Sequence, residues 1–362
     1  MIAVYSNNIY TDSVIEHCLA QHSVKVYHDI NQYVQASAVT KLAFVNHINQ
    51  YCLPANEAER ASWAANGTKF AEEIDAVAHH SALTFAFDNE FHSYHCDLLT
   101  RFNGQPVHWV VPVVCNQQLA PCVFNAFQFG WTVEPYRRQL AAQLKKLKPF
   151  DTKPYWFDAL LGWPRPHRDY VHNAVMNDPQ VRHKSVYRYM NGLIRDFCTD
   201  FLWEPEVQYF APVEMSANMV RYFDEIMPLS RIVPISIYNQ SAYSIVAETS
   251  ADNRYSFPTE KVIKPMIAQR LFVVFSGVHY LRTLRQLGFQ TFDGVIDESY
   301  DNIVDDNTRW SAAFEQVKRL CSQDQLVVFD KIRPIVEHNY NVCMNTDWAN
   351  YTKNKIATVL DL

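Results

Sequence analysis

Short apolar runs alternate with helix-patterned stretches along the first half of this chain, and that alternation limits the fold more than any other feature. Ile2–Tyr5, Val24–Tyr27, Lys41–Val45, Leu83–Phe87 and His108–Val114 read as strands. Between them Thr11–Gln21 reads as a helix capped by Thr11 or Asp12, and Thr68–His79 as a helix with Phe70, Ile74 and Val77 on one face; Glu134–Leu147 reads as a helix after the last strand. Such β-α-β alternation needs a parallel sheet with helices on both faces, because each crossover helix must bury its apolar stripe on the sheet.

The pattern breaks near residue 150. KLKPFDTKP sets Pro149 and Pro154 among charges, as a linker does, and 362 residues suit two domains. The expected division is 1–150 and 151–362. After it, Tyr155–Leu161 and Lys184–Tyr189 read as strands, Asp169–Met176 and Ser216–Phe223 as helices, and Tyr243–Glu248 as a strand followed by the polar loop Ser250–Pro258. Thr259 caps a helix running to about Arg270, Leu271–Phe275 is a strand, and Val278–Leu287 is a helix stopped by Gly288. Gln290–Phe292 reads as a short strand. Three helical patterns close the chain, at Asp306–Ser322, Gln325–Tyr340 and Thr346–Leu360.

Composition removes several function classes. There are only eight glycines, and neither GxGxxG nor GxxxxGK[ST] can be written from them, so dinucleotide and P-loop readings lose their support. A net charge of −6 gives no general attraction to nucleic acid or anionic lipid. One local exception runs from Tyr136 to Lys148, where Arg137, Arg138, Lys145, Lys146 and Lys148 make either a solvated helix face or a landing strip for a polyanion. The eight cysteines are scattered with no CxxC, which reads as reduced thiols in a cytoplasmic protein. The opening MIAVYSNNIYTDS lacks the pattern of a signal peptide, and no apolar run has the length of a membrane span, so no membrane partner is expected.

Two segments carry chemistry. FPTEKVIKPMIAQRLFVVFSG (257–277) is a loop leading into a helix at Thr259. A helix N-terminus offers unpaired N–H groups and partial positive charge, Lys261 adds a full charge, and Glu260 can accept from a ribose diol. Read locally, the same residues also describe a capped surface helix. Pro265 inside the helix removes a hydrogen bond there. FDALLGWPRPHRDYVHNAV (157–175) is a strand, Gly162, a basic loop with Arg165, His167 and Arg168, then a helix. Arg grips two phosphate oxygens at once, and the carboxyl end of a parallel strand faces the usual ligand crevice. Arg254, in the loop before Thr259, is a further phosphate candidate.

This order of strand, Arg and helix, then an acidic strand end and TEK some ninety residues on, resembles the donor half of the family 10 glycosyltransferases, the α1,3-fucosyltransferases. The likeness covers about residues 155–302, and TEKVIKPMIAQRLFVVFSG…LRQLGFQTFDGVIDESYD is also similar to glycosyltransferase-like proteins of phages and large viruses. The resemblance implies a GT-B fold, two Rossmann-like α/β domains facing a cleft, with the acceptor mainly on the first and a nucleotide sugar on the second. The last helix is expected to cross back by analogy with that architecture. It also implies that Arg168 holds pyrophosphate, Lys261 phosphate and Glu260 ribose, with Thr259 opening the helix and Glu248 ending the strand before the loop. Phe257–Pro258 stands where the family has an aromatic and a β-branched residue, so GDP-fucose is not carried over as the donor.

A transferase that inverts configuration needs a carboxylate near the acceptor hydroxyl. FDNEFHSYHCD (87–97) follows an apolar strand and supplies Asp88 and Glu90, with Glu90 the expected base; a helix-capping acidic pair is the plainer reading. Glu90, His92, His95 and Asp97 are metal-type side chains without a defined spacing, and no Asp-x-Asp occurs, so no metal or other cofactor is expected and Arg168, Lys261 and the helix terminus neutralise the leaving diphosphate. The acidic IDESYDN (Asp297, Glu298, Asp301) reads as a cap or a brace near the donor. The viral likeness and the basic stretch point to a hydroxymethylated DNA base as acceptor, in the cytoplasm of an infected host, with a glycan as the other acceptor class. The alternative from a different class is a non-catalytic structural or binding protein, such as a virion component, on a transferase-like fold. Oligomeric state is not legible.

Overall fold

The structure is a computed structural model that describes residues 1–38, 40–47, 57–88, 95–116, 121–162, 164–189, 204–209 and 219–360. By its internal contacts the chain forms two compact units, 1–127 with 347–362, and 128–346.

The first unit is built on a parallel sheet. Strands β1 (Ile2–Ser6), β2 (Val24–Tyr27), β3 (Thr40–Asn46), β4 (Leu83–Phe87), β5 (Val107–Val111) and β6 (Cys122–Phe124) lie in the order β2-β1-β3-β4-β5-β6. Leu42–Val45 and Phe85–Phe87 are buried on both faces, the continuous apolar run that a sheet covered on two sides requires. Helices α1 (Ile9–Cys18), α2 (Ile30–Gln35), α3 (Glu57–Ala78) and α4 (His95–Arg101) supply the crossovers. Val14, Ile15 and Cys18 of α1 pack into one cluster with Val4, Phe44, Phe85 and Phe87. Asp29 caps α2 by accepting from the Gln32 amide at 2.9 Å.

The second unit opens with α5 (Phe127–Arg137) and α6 (Ala141–Leu144), then β7 (Tyr155–Leu161), α7 (Pro166–Asn177), α8 (Pro179–His183) and β8 (Ser185–Tyr189). An antiparallel trio follows: β9 (Val207–Tyr209), β10 (Met219–Tyr222) and β11 (Glu225–Pro228). Then come α9 (Ile235–Tyr238), β12 (Ser241–Ala247), α10 (Glu260–Ile267), β13 (Phe272–Phe275), α11 (Tyr280–Gln286), α12 (Asp306–Cys321) and α13 (Gln325–Asn345). The main sheet is parallel with order β13-β12-β7-β8. From β7 the chain steps one way to β8 and the other way to β12, so the winding reverses between β7 and β12. The carboxyl ends of those two strands are where an open α/β sheet places its ligand crevice.

A buried ion pair ties this sheet together from below the crevice. Arg270 donates to Asp158 at 2.6 Å and also to the Tyr238, Ser241 and Tyr243 carbonyls. Both side chains are almost wholly buried, and the hydroxyls of Ser241 and Ser244 donate to the same Asp158 oxygen.

The last helix, α14 (Trp348–Val359), belongs to the first unit. Ile356 joins the cluster around Phe44, and Thr352 Oγ1 accepts from the Ala126 amide at 3.0 Å. Burying an Ile contributes about 1.5–3 kcal/mol. The division therefore falls at 127/128 rather than at 150, and residues 347–362 do not join the second unit. Tyr136 explains the shift. It is fully buried within the second unit, and its hydroxyl accepts from the Val233 amide at 2.5 Å.

Three local expectations are corrected. Ser216–Phe223 is not a helix over its described part: Met219–Tyr222 is strand β10, with Val220 and Tyr222 buried and Arg221 exposed between them, a period of two. Gln290–Phe292 joins no strand ladder; the Asn339 carboxamide instead accepts from the Gln290 amide and donates to its carbonyl, both at 2.8 Å. The basic stretch 136–148 is not one helix. It breaks between α5 and α6, where Arg137 donates to the Cys343 and Thr346 carbonyls at the end of α13.

Candidate functional site

Arg168 and the Thr259–Lys261 segment meet at Glu248, the residue that follows β12. Arg168 lies in the first turn of α7, a helix that starts with Pro166 and whose N-cap, Arg165, makes no side-chain capping bond. The Arg168 guanidinium donates to the Glu248 main-chain carbonyl at 2.7 Å, and His167 Nε2 donates to the same oxygen at 2.7 Å. Gly162, at the end of β7, makes room: a Cβ there would lie 3.4 Å from Arg168 Nη1.

From the other side, the Glu248 carboxylate holds the start of α10. It is fully buried and accepts from the Thr259 amide (3.1 Å), the Thr259 hydroxyl (2.5 Å), the Thr249 amide (3.0 Å) and the Tyr280 hydroxyl (2.6 Å). Two oxygens with four donors have little capacity left for a ligand. Glu248 is therefore a brace, and it was legible in sequence only as an acidic strand end. Tyr280 was not anticipated, since nothing in its own segment marks it.

Thr259 caps α10 by accepting from the Lys261 amide. Lys261 Nζ donates to Glu260 at 2.6 Å and to Thr249 Oγ1 at 3.0 Å, so it reaches the same strand end as Arg168. Burial raises the Glu260 carboxyl, but Lys261 and Lys264 outweigh it and hold it below the usual range. Lys264, one turn on, donates to the Ser230 carbonyl at 2.8 Å and is pushed down to about 8 by burial, against the pull of Glu260. Its spacing of four from Glu260 was the available signal for it.

The cluster is strongly cationic. Burial and the neighbouring Arg165 lower Arg168 to about 10, which leaves it charged at neutral pH. Burial, Arg168, Arg165 and Lys261 push His167 down to about 3, so that imidazole is neutral. Its Nδ1 is buried and makes no hydrogen bond among the described residues. Two helix N-termini, two arginines and a lysine thus converge where β7 and β12 end, an arrangement suited to an anion with several oxygens.

Other expected residues are placed differently. Arg254 turns back on Asp252, donating from Nε at 3.0 Å and Nη2 at 2.7 Å. Its loop is held over the end of β13, where a Cβ on Gly277 would come within 2.3 Å of the Asp252 carbonyl oxygen. In the acidic run, Asp301 accepts from the Leu281 and Arg282 amides and Glu298 from the Phe292 amide, so both serve local backbone. Of the basic stretch, Arg138 pairs with Glu134 and Lys146 with Glu206. A groove of about 650 Å³ lies at the far end of α10 and is lined by Tyr136, Lys145, Ile267, Gln269 and Met344, apart from the cationic cluster.

In the first unit Asp88 follows β4 and is fully buried, with His47 Nδ1 3.4 Å from its carboxylate. That carboxylate does not face solvent, so Asp88 is not itself placed as an accessible base. Glu90 and His92 lie outside the described residues. No group of three His, Cys, Asp or Glu side chains able to hold a metal occurs among the described residues. No helix among them is long and apolar enough to cross a membrane.

Comparisons with protein-family models, with curated proteins and with solved structures give no match to this chain.

Proposed function

We propose that the chain is a glycosyltransferase of the GT-B type that binds the diphosphate of a nucleotide sugar in its second unit. The observation that carries this reading is the meeting of Arg168 and Lys261 at the carboxyl end of β12, beside the point where the sheet reverses its winding. Arg168, with Arg165 beside it, and Lys261 balance the charge of the diphosphate, and the positive ends of the α7 and α10 dipoles add to it. Glu260, held ionised by its lysines, is the acceptor for a ribose diol.

The chemistry is a single displacement. An acceptor hydroxyl attacks the anomeric carbon, the bond from that carbon to the diphosphate breaks, and the nucleoside diphosphate leaves onto the cationic cluster. The proton passes to a carboxylate base, for which Glu90 is the candidate read from sequence. The acceptor is a hydroxymethylated DNA base or a glycan. Arg138 and Lys146 of the basic stretch pair with Glu134 and Glu206 on the surface.

Titration calorimetry with a panel of uridine, guanosine and other nucleotide sugars tests the reading. One member binding to the wild-type chain and at least about tenfold more weakly to Lys261→Ala supports it. A panel with no binding at all supports the structural alternative.

A further inference from the structure

Cys115 and Cys122 are seven positions apart in sequence, too far for a CxxC search to pair them. In the first unit their sulfur atoms lie 3.7 Å apart. Cys122 begins the edge strand β6 and is exposed, and Cys115 is half-buried, so a small reagent reaches the pair. A disulfide needs the sulfurs at about 2.0 Å, roughly 1.7 Å closer than they stand. Four other cysteines, Cys18, Cys96, Cys321 and Cys343, are buried. Cys52 and Cys198 lie outside the described residues.

We propose that Cys115 and Cys122 are a reversible dithiol–disulfide couple that exchanges with a low-molecular-weight disulfide of the glutathione class. The contact polarises the pair. The hydrogen bond from Cys122 lowers Cys115 despite its burial, while Cys122 is raised by the same bond and by burial. In the proposed exchange Cys122, the more exposed thiol, is the resolving group and Cys115 the attacking one. It gives up its proton and attacks one sulfur of glutathione disulfide. The S–S bond breaks, and the departing glutathione thiolate takes up a proton. Cys122 then loses its proton and attacks Cys115 Sγ in the mixed disulfide, releasing the second glutathione. Two protein thiols lose two electrons, and one small disulfide becomes two thiols. The product clips the first residue of β6 to the segment that leaves β5, fastening an edge strand whose preceding Pro121 already accepts from the Trp109 amide at 2.9 Å. This inference is independent of the transferase reading.

The experiment uses the intact native chain, incubated with glutathione disulfide, blocked with an alkylating agent and digested with trypsin. No Lys or Arg separates the two cysteines, so one peptide carries both. The expected product is that peptide lacking two hydrogens and carrying no alkyl group, restored by dithiothreitol. Cys122→Ser arrests the reaction as a single glutathione adduct on Cys115. In the native wild type, Cys115 alkylates at least about tenfold faster than buried Cys321, whose thiol burial pushes up to about 11. Persistence of two alkylatable thiols, a mixed disulfide that never closes, or a link from either cysteine to Cys96 overturns the proposal.

Discussion

Arg168 and Glu248 meet through main chain rather than through opposite charges: the guanidinium donates to the Glu248 carbonyl oxygen at 2.7 Å while the Glu248 carboxylate is turned to Thr259 and Tyr280. One residue thereby fixes both halves of the cationic cluster. Its carbonyl sets Arg168 and His167, and its carboxylate sets the first turn of α10. Arg168→Lys keeps the charge but loses the planar fork. Diphosphate binding is expected to weaken by at least about tenfold, measured by calorimetry on the folded variant, while the α/β circular-dichroism spectrum is unchanged.

Removing the brace costs stability. Glu248→Ala leaves the buried Thr259 amide and Tyr280 hydroxyl without their acceptor. Each unsatisfied group costs about 1–3 kcal/mol, so a loss of about 3–5 kcal/mol is expected from urea unfolding. Tyr280→Phe deletes one hydrogen bond to a carboxylate and is expected to cost about 1.5–3 kcal/mol. Near-equal stability of Tyr280→Phe and wild type contradicts the bracing role.

The sequence was informative at two strand ends, those of β7 and β12, and less so at the end of β4, where Asp88 is buried. Apolar alternation located the parallel sheets, and Arg168 and Thr259–Lys261 could be placed because a strand and a helix start flank each. What escaped depends on partners distant in sequence. Tyr280 reaches Glu248 from another helix, and Tyr136 is drawn into the second unit by Val233, which moved the boundary. Met219–Tyr222 has both periods available, and only its partners in β9 and β11 decide for the strand. The Cys115–Cys122 contact follows from the return of the chain to the sheet edge, which no local spacing announces.

His167 makes stability depend on acidity. Its folded-state value is depressed from 6.5 to about 3 by burial and by Arg168, Arg165 and Lys261. The neutral ring is favoured in the folded chain, so the contribution is fully present above pH 6.5 and is lost as pH falls towards 3. Over that window the unfolded chain binds the extra proton, with a slope of up to about 1.4 kcal/mol per pH unit. His167→Gln is expected to flatten this part of the stability–pH curve in denaturant titrations. An unchanged slope contradicts the assignment.

Below the site, Asp158→Ala strands the buried Arg270 guanidinium. A loss of about 3–5 kcal/mol is expected, because an uncompensated buried charge remains. Replacing both partners by apolar residues of similar volume is expected to cost less than the single change, which thermal or chemical unfolding of the two variants compares directly.

At the rim, Gly277→Ala forces a Cβ to within 2.3 Å of the Asp252 carbonyl, which must move. About 1–3 kcal/mol of destabilisation is expected, together with earlier proteolytic cleavage in the 250–254 loop.

The most direct measurement is calorimetric titration of the wild-type chain and of Lys261→Ala with the nucleotide-sugar panel and with the matching nucleoside diphosphates. A nucleoside diphosphate and its sugar conjugate are both expected to bind the wild type, and both to lose at least about tenfold in affinity when Lys261 is removed. A folded wild-type chain that binds no diphosphate, or one whose binding is indifferent to Lys261, contradicts that expectation.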